Sequence, residues 1–224
     1  MSKRFTTHIV DRAVANELIT RWHRHSGPVL VGMEFVLLQE AGRACGVGVL
    51  GKPLSVILDD GETLEVRRTA TDGTRHACSA VLGSMARVAA RRGALRLVTY
   101  TREGESGGSL RGADWWLDEQ FHREWDLVGT KIVSSLRPKA ARSWSSPSRP
   151  RRVTALGAPR FRWWKLLPGA RTFDGALRLG AAAARSSQMT GNPYPLGGPD
   201  AKWWSLWREG FDHPNAVPAT GTAA

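Results

Sequence analysis

A chain of 224 residues with a formal net charge of +12 has room for one compact domain with appendages, rather than for two full domains. Its 32 Lys and Arg against 20 Asp and Glu favour nucleic acid, an anionic membrane or a phosphorylated ligand as a partner, and carry no information about the fold. Only Cys45 and Cys78 are present, without CxxC spacing, which excludes a disulfide framework and a four-cysteine zinc site. No apolar run has the length of a signal peptide or a membrane span, so we expect a cytoplasmic protein with no membrane partner.

The first predicted elements are a helix and a β-hairpin. Apolar residues recur near helical spacing from Val10 to Trp22, and Asp11 is placed to cap that helix. The apolar, β-branched runs 34–39 and 43–50 flank a turn-like Glu-Ala-Gly, which predicts a hairpin. A second turn signal, at residues 59–61, separates the short run 54–58 from a further strand over 63–71.

The clearest element is a second helix, over residues 76–92. Val81, Met85 and Val88 share one face of it and arginines lie off that face, while Gly93 ends it. The short apolar run 95–100 then reads as a buried strand. A strand, a helix and a strand in this order predict a right-handed crossover between two parallel strands, and so a mixed sheet.

The remainder of the chain is less regular. Residues 103–112 are rich in Gly and Ser and predict a loop that opens a short helix. Between Lys131 and Lys165 basic residues occur without acidic ones, interleaved with tryptophans and prolines, which predicts a loop-rich basic extension. Beyond it come an Ala-rich stretch, an amphipathic turn around residues 203–207 and a Pro/Ala/Thr tail.

This order of elements resembles the GNAT acyltransferase superfamily. The segment 64–93 is similar to the unit of a strand, a loop and a helix in which backbone N–H groups bind the pyrophosphate of acetyl-coenzyme A. The segment 99–115 is similar to the following short helix, with Ser106 where the superfamily favours Asn. The resemblance implies an α/β (α+β) fold with a mixed, splayed sheet flanked by helices, an irregular basic C-terminal extension, and an acyl-CoA cofactor.

Four motifs resemble an uncharacterised phage- and plasmid-associated family of GNAT-like proteins. They are RWHRHSGPVLVGMEF, LEVRRTATDGTRHACS, TYTREGESGGSL and SWSSPSRPR. The resemblance implies a GNAT-like domain over residues 1–152, with an insertion near 116–142. It leaves residues 153–224 as a basic, Trp-containing extension that ends in a flexible tail.

The loop over residues 74–79 departs from ordinary GNAT proteins. Thr-Arg-His-Ala-Cys-Ser replaces the usual pattern of Arg or Gln, two residues, Gly, one residue, and Gly or Ala. A similar loss marks the Mom-type proteins, a GNAT-like branch that modifies adenine in DNA. This second resemblance points, like the charge, toward nucleic acid.

The cofactor-binding residues implied by the resemblance lie in the two loops that precede helices. Each hydroxyl among them has a plain alternative role as a helix cap. The predicted residues are Thr74, Arg75, His76, Ser79 and Ser109.

The predicted catalytic residues are Arg67, Tyr100, Ser106, His23 and His25. Arg67 faces away from the core side of its strand, where it lines a cleft or forms a surface ion pair. Tyr100 ends a central strand, as a general acid or as an ordinary strand aromatic. His23 and His25 follow the first helix and form a base or a metal pair, or else cap the helix and face solvent. A metal ion is therefore a second cofactor prediction, although the sequence assigns no ligand set.

These observations lead to one predicted function and two alternatives. The prediction is a GNAT-fold transferase that moves an acyl-type group to an amine, on nucleic acid or elsewhere. The first alternative is a Mom-like DNA adenine modification enzyme. The second is a non-catalytic protein of a mobile element that binds nucleic acid or protein in counter-defence.

Overall fold

The computed structural model describes residues 4–24, 26–55, 58–102, 104–123, 125–128, 131–134, 160–185, 193–194 and 201–217. The strands are β1 (Phe5–Ile9), β2 (Glu34–Glu40), β3 (Arg43–Gly51), β4 (Thr63–Thr71), β5 (Arg96–Arg102), β6 (Trp116–Arg123), β7 (Trp125–Val128), β8 (Lys131–Ser134) and β9 (Arg160–Leu166). The α-helices are α1 (Arg12–Trp22), α2 (Ala77–Arg91), α3 (Gly108–Arg111), α4 (Phe173–Arg185) and α5 (Ala201–Asp212).

Seven strands form one mixed sheet in the order β1-β2-β3-β4-β5-β9-β6, and β7 pairs with β8 separately. Neighbours in the large sheet are antiparallel except β4 and β5, which are parallel. The predicted α/β class with a mixed sheet and flanking helices is confirmed. The predicted hairpin and crossover are present, with boundaries within two residues of those expected.

Helices cover the two faces of the sheet. On one face Ala15 and Ile19 of α1 are fully buried in a cluster with Val47 and Val49 of β3. On the other face α2 buries Val81 and Met85. Glycines of β3 make room there, since a Cβ at Gly48 would lie 2.4 Å from the sulfur of Met85. The crossover helix is thereby fixed tightly against the sheet.

Strand β1 is absent from the elements that the sequence predicts. Its side chains are exposed or half-buried, and it pairs antiparallel with β2 at the edge of the sheet. An exposed edge strand buries too little apolar surface to leave a clear alternating pattern, so the sequence does not predict it.

Strand β9 differs from the predicted loop-rich extension. It lies between β5 and β6 and pairs with β5 along its whole length, from Arg96↔Leu166 to Arg102↔Arg160. Trp163 packs in the cluster under α2, and Trp164 packs on the opposite face with Leu58 and Val98. The C-terminal end of the predicted basic extension is therefore an interior strand of the sheet, and its tryptophans pack on both faces. The domain boundary at residue 152 lies outside the described residues, whereas the predicted insertion near 116–142 contains strands β6, β7 and β8.

The C-terminal helices α4 and α5 pack against each other and against Leu95 and Leu166. Their closest approach is at glycines, because a Cβ on Gly180 would lie 1.9 Å from the carbonyl oxygen of Trp207. The Ala-rich stretch and the predicted amphipathic turn are thus two full helices of one pair. Of the helices within the described residues, none has the length and apolar character needed to cross a membrane.

We expect Gly180→Ala to destabilise the protein by about 1–3 kcal/mol, because the added methyl group forces α4 and α5 apart. The same substitution at Gly83 of α2 is the matched control, since its Cβ would meet only the end of Arg87, at 3.6 Å. There we expect a gain of about 0.5–1 kcal/mol from helix propensity. Urea unfolding of both variants measures the two effects, and equal effects would contradict this account of the packing.

Candidate functional site

Strands β4 and β5 separate from each other partway along their length. Their parallel ladder runs only from Thr63↔Arg96 to Glu65↔Val98, although the strands continue to Thr71 and Arg102. Just beyond the last pair, the Thr99 hydroxyl donates to the Val66 carbonyl at 2.9 Å. A wedge therefore opens between the far halves of the two central strands.

A β-bulge on the other side of β4 accompanies this separation. Leu50 pairs with Val66 and Val49 with Arg68, so Arg67 is the extra residue. A bulge bends its strand and increases the local twist, which turns β4 away from β5 at this level. The wedge is thus built into the backbone of β4.

The loop from β4 to α2 lies at the open end of the wedge. The Asp72 carboxylate accepts the backbone N–H of Thr74 at 2.9 Å, and Gly73 has a φ of +95°. Burial raises the pKa of Asp72, but hydrogen bonds from Thr74 and the charge of Arg43 outweigh it and hold that pKa below its ordinary value. Asp72 is therefore a charged residue that fixes the loop at neutral pH.

Helix α2 begins without a side-chain cap. His76 is its N-cap residue, in the left-handed region at φ +67°, and makes no side-chain capping bond. The N–H of Ala77 donates to Thr74 and that of Ala80 to His76, while the N–H groups of Cys78 and Ser79 find no acceptor among the described residues. Free amides at the N-terminus of a 15-residue helix are suited to bind an anion.

Helix α3 is joined to the start of α2. The Ser79 hydroxyl donates to the carbonyl oxygen of Ser109 at 3.3 Å, so it neither caps α2 nor points away from the protein. The Ser106 hydroxyl accepts the N–H of Gly108 at 3.3 Å, from the position before the N-cap residue Gly107. Ser106 thereby shapes the start of α3, and its place in catalysis stays a prediction.

Arg67 is occupied by the loops around it. Its guanidinium donates to the carbonyl oxygens of Val31 and Lys52, both at 2.6 Å, and so ties the loop before β2 to the loop after β3. Tyr100 is half-buried and packs beside Val98 and Trp164, on the strand that bounds the wedge. Of the predicted catalytic residues, Tyr100 thus lies on a wedge strand and Arg67 at the bulge.

The structure describes only the first residue of the predicted histidine pair. His23 follows α1, and its Nδ1 accepts the backbone N–H of Ser26 at 3.2 Å, which favours a structural role in the turn. His25 lies outside the described residues. Within those residues, no group of three or more His, Cys, Asp or Glu side chains is arranged to hold a metal ion.

Glu65, like Arg67, is a charged residue of β4 for which the sequence leaves open a place in a cleft or in a surface ion pair. It occupies the last ladder pair before the wedge and is only 5% exposed, and its Oε2 accepts the N–H of Leu54 at 2.7 Å. The sequence signal was a charged residue alternating with Leu64 and Val66, which fits equally a surface ion pair. Only the burial of Glu65 in the folded chain shows that this side of β4 is covered.

A strained histidine at the start of α2 yields a prediction with two readouts. Replacing His76, at φ +67°, by glycine relieves a left-handed conformation and should raise the free energy of unfolding by about 1 kcal/mol. If the exposed imidazole contributes to ligand binding, the same variant should bind an anionic ligand more weakly. Urea unfolding and calorimetry with acetyl-CoA measure the two effects. Higher stability with unchanged binding would show that the strained conformation of His76 does not contribute to ligand binding.

No protein-family model matches the sequence, and no curated protein is similar to it. Similar solved structures include an acetyltransferase from Bacillus subtilis in complex with CoA, with a TM-score of 0.47 and 12% identity, covering 73% of this chain and 98% of that one. The ribosomal-protein-S18-alanine N-acetyltransferase of Escherichia coli has a TM-score of 0.46 and 10% identity, with 73% and 94% covered. A GNAT family acetyltransferase from Elizabethkingia anophelis with acetyl-CoA bound has a TM-score of 0.43 and 15% identity, with 74% and 100% covered. At such low similarity we infer function from the wedge and the loop.

Proposed function

We propose that this chain is an N-acyltransferase that uses an acyl-CoA donor. The observation that carries the proposal is the meeting of two features at one place. The wedge between β4 and β5 opens where the uncapped amides of α2 lie, so an extended thioester has a slot and its phosphates an anion site. The predicted GNAT-type transferase and its acyl-CoA cofactor are the class that this geometry supports.

The residues at the loop fit a pyrophosphate. The N–H groups of Cys78 and Ser79 provide donors, and the exposed Arg75 adds a positive charge one residue before the helix N-cap. Acyl-CoA, when bound, supplies an activated acyl thioester. We expect phosphate binding here not to require the glycine pattern of ordinary GNAT loops, because backbone amides make the contacts to phosphate.

Direct transfer needs positioning and two proton movements rather than a protein nucleophile. The amine nitrogen forms its bond to the acyl carbon while the bond from that carbon to sulfur breaks, so the amine loses a proton to solvent and the thiolate gains one. We assign the donation of the latter proton to the phenol of Tyr100, on the strand that bounds the wedge. Arg67 acts indirectly, by holding the two loops next to the bulge.

Calorimetry of the purified protein with acetyl-CoA tests the cofactor half of the proposal. We expect saturable binding that Arg75→Gln weakens several-fold, and that Cys78→Pro weakens by removing one free N–H at a helical position where proline is tolerated. Arg87→Gln is the matched control, because Arg87 is also exposed but lies in the middle of α2. No heat at saturating acetyl-CoA, or equal weakening in the control, would refute the proposed cofactor site.

We further propose that the acceptor amine belongs to nucleic acid, as the charge of +12 and the resemblance to mobile-element and Mom-type proteins suggest. Mass spectrometry of nucleosides from cells that express the protein should then show an added acyl group. An unmodified nucleoside profile together with acylated protein would refute a nucleic-acid acceptor. Binding of nucleic acid without any turnover would favour the non-catalytic alternative.

A further inference from the structure

A groove of about 450 Å³ lies between the last turn of α1 and the ends of β3 and β4. No residue of the wedge or of α2 lines it. The residues that do are Leu18, Arg21, Trp22, Arg43, Ala44 and Asp72. This volume lies within the range of small-molecule sites.

The groove carries a net positive charge. Arg43 contacts Asp72 at 3.2 Å, with 73% of the arginine side chain and 16% of the aspartate side chain exposed. Because Asp72 also accepts the N–H of Thr74, its negative charge is already compensated from two sides. Arg21 is exposed and forms no ion pair with any described residue. The groove therefore presents two guanidinium groups to an anion.

The same groove has an aromatic wall. Trp22 is half-buried and packs with Leu18 on the cluster beneath α1, so part of its indole lines the groove. A tryptophan beside two arginines combines a stacking surface with phosphate ligands, and this is the combination used for single-stranded nucleic acids.

Two further exposed arginines follow lining residues closely in the sequence. Exposed Arg24 follows Trp22 by two residues, and exposed Arg75 follows Asp72 by three. At about 3.8 Å per residue these arginines lie within roughly 8 and 11 Å of the lining backbone. One free nucleotide needs no such extension, whereas a chain of phosphates does.

We propose that this groove binds a nucleotide unit of a single-stranded nucleic acid, with the base against Trp22 and phosphate between Arg21 and Arg43. The inference stands without the proposed acyl transfer, because it requires neither the wedge nor a donor.

Fluorescence anisotropy of a labelled single-stranded oligothymidylate with the full chain, at several salt concentrations and without acyl-CoA, tests this site. We expect Trp22→Leu to weaken binding about tenfold and Trp22→Phe to weaken it less. Arg21→Gln and Arg43→Gln should each reduce the slope of log K against log salt by about 0.7. Arg208→Gln is the matched control, since Arg208 is likewise an exposed arginine in an ion pair, with Asp212 at 2.8 Å, and should leave that slope unchanged.

Circular dichroism of each variant separates loss of binding from loss of the fold, and the two surface arginine variants keep the test valid if Trp22→Leu misfolds. Equal effects of Arg43→Gln and Arg208→Gln would overturn the proposal, as would Trp22-independent binding. Competition with AMP and with CoA distinguishes a site for a nucleic-acid chain from a site for a free nucleotide or for the nucleotide part of CoA. Trp22-dependent binding of either small molecule, without binding of the oligonucleotide, would overturn the assignment to nucleic acid.

Discussion

Arg178→Ala should cost about 3–5 kcal/mol of stability, because it removes a paired charge and two hydrogen bonds from a buried carboxylate. Arg178 of α4 donates to both carboxylate oxygens of Glu62, at 3.1 and 2.6 Å, and the Glu62 side chain is only 2% exposed. Desolvation alone would lower the pKa of Arg178, but its hydrogen bonds to Glu62 raise that pKa above its ordinary value. Chemical unfolding of the variant and the parent measures the loss.

Two controls separate the cost of leaving a buried charge from the cost of losing an exposed ion pair. Arg208→Ala breaks a pair whose side chains are 55% and 42% exposed, and should cost less than about 1 kcal/mol. The double variant Glu62→Gln with Arg178→Met removes both charges and should recover most of the stability. A loss in Arg178→Ala no larger than that in Arg208→Ala would show that α4 does not dock through this pair.

Gly107→Ala should destabilise the protein by about 2–4 kcal/mol and weaken acyl-CoA binding, because it distorts the loop before α3. Gly107 has a φ of +64°, and a Cβ there would lie 2.4 Å from the indole ring of Trp163. That ring is 3% exposed, and its Nε1 donates to Thr101 at 2.9 Å, so it has little freedom to move. The displaced α3 would break the link from Ser109 to Ser79.

Gly104→Ala separates backbone strain from the steric clash. Gly104 lies in the same loop at φ +84°, but no atom is within 4 Å of its Cβ position. We expect it to lose only about 1 kcal/mol, the cost of the left-handed conformation. Thermal unfolding and calorimetry with acetyl-CoA compare the two variants, and similar losses would rule out the contact with Trp163 as the cause.

Main-chain N–H groups explain how the proposed anion site can do without the usual glycines. Phosphate recognition at a helix N-terminus uses main-chain N–H groups, which every residue except proline carries. The departure at residues 74–79 therefore changes the side chains around the site and leaves its donors intact. His76 stays in a conformation that glycine would adopt at lower cost, which makes it the residue of this loop most worth testing.

Local patterns in the sequence determined the elements that form the site. The helical period of Val81, Met85 and Val88, the stop at Gly93 and the apolar run that follows predicted α2 and β5, and the crossover rule then made β4 and β5 parallel. The Gly/Ser loop and its short helix were also predictable, because turn residues act over a few positions. These signals required no knowledge of distant contacts.

Only the tertiary structure decided which distant segments contact these elements. Strand β9 enters the sheet beside β5, about 60 residues away in sequence, and Arg178 pairs with Glu62 across 116 residues. The hydroxyl of Ser79 reaches Ser109, and the ladder between β4 and β5 stops after three pairs. Strand neighbours and buried ion pairs depend on which segments meet in space, and propensity, which acts within a few residues, cannot specify that.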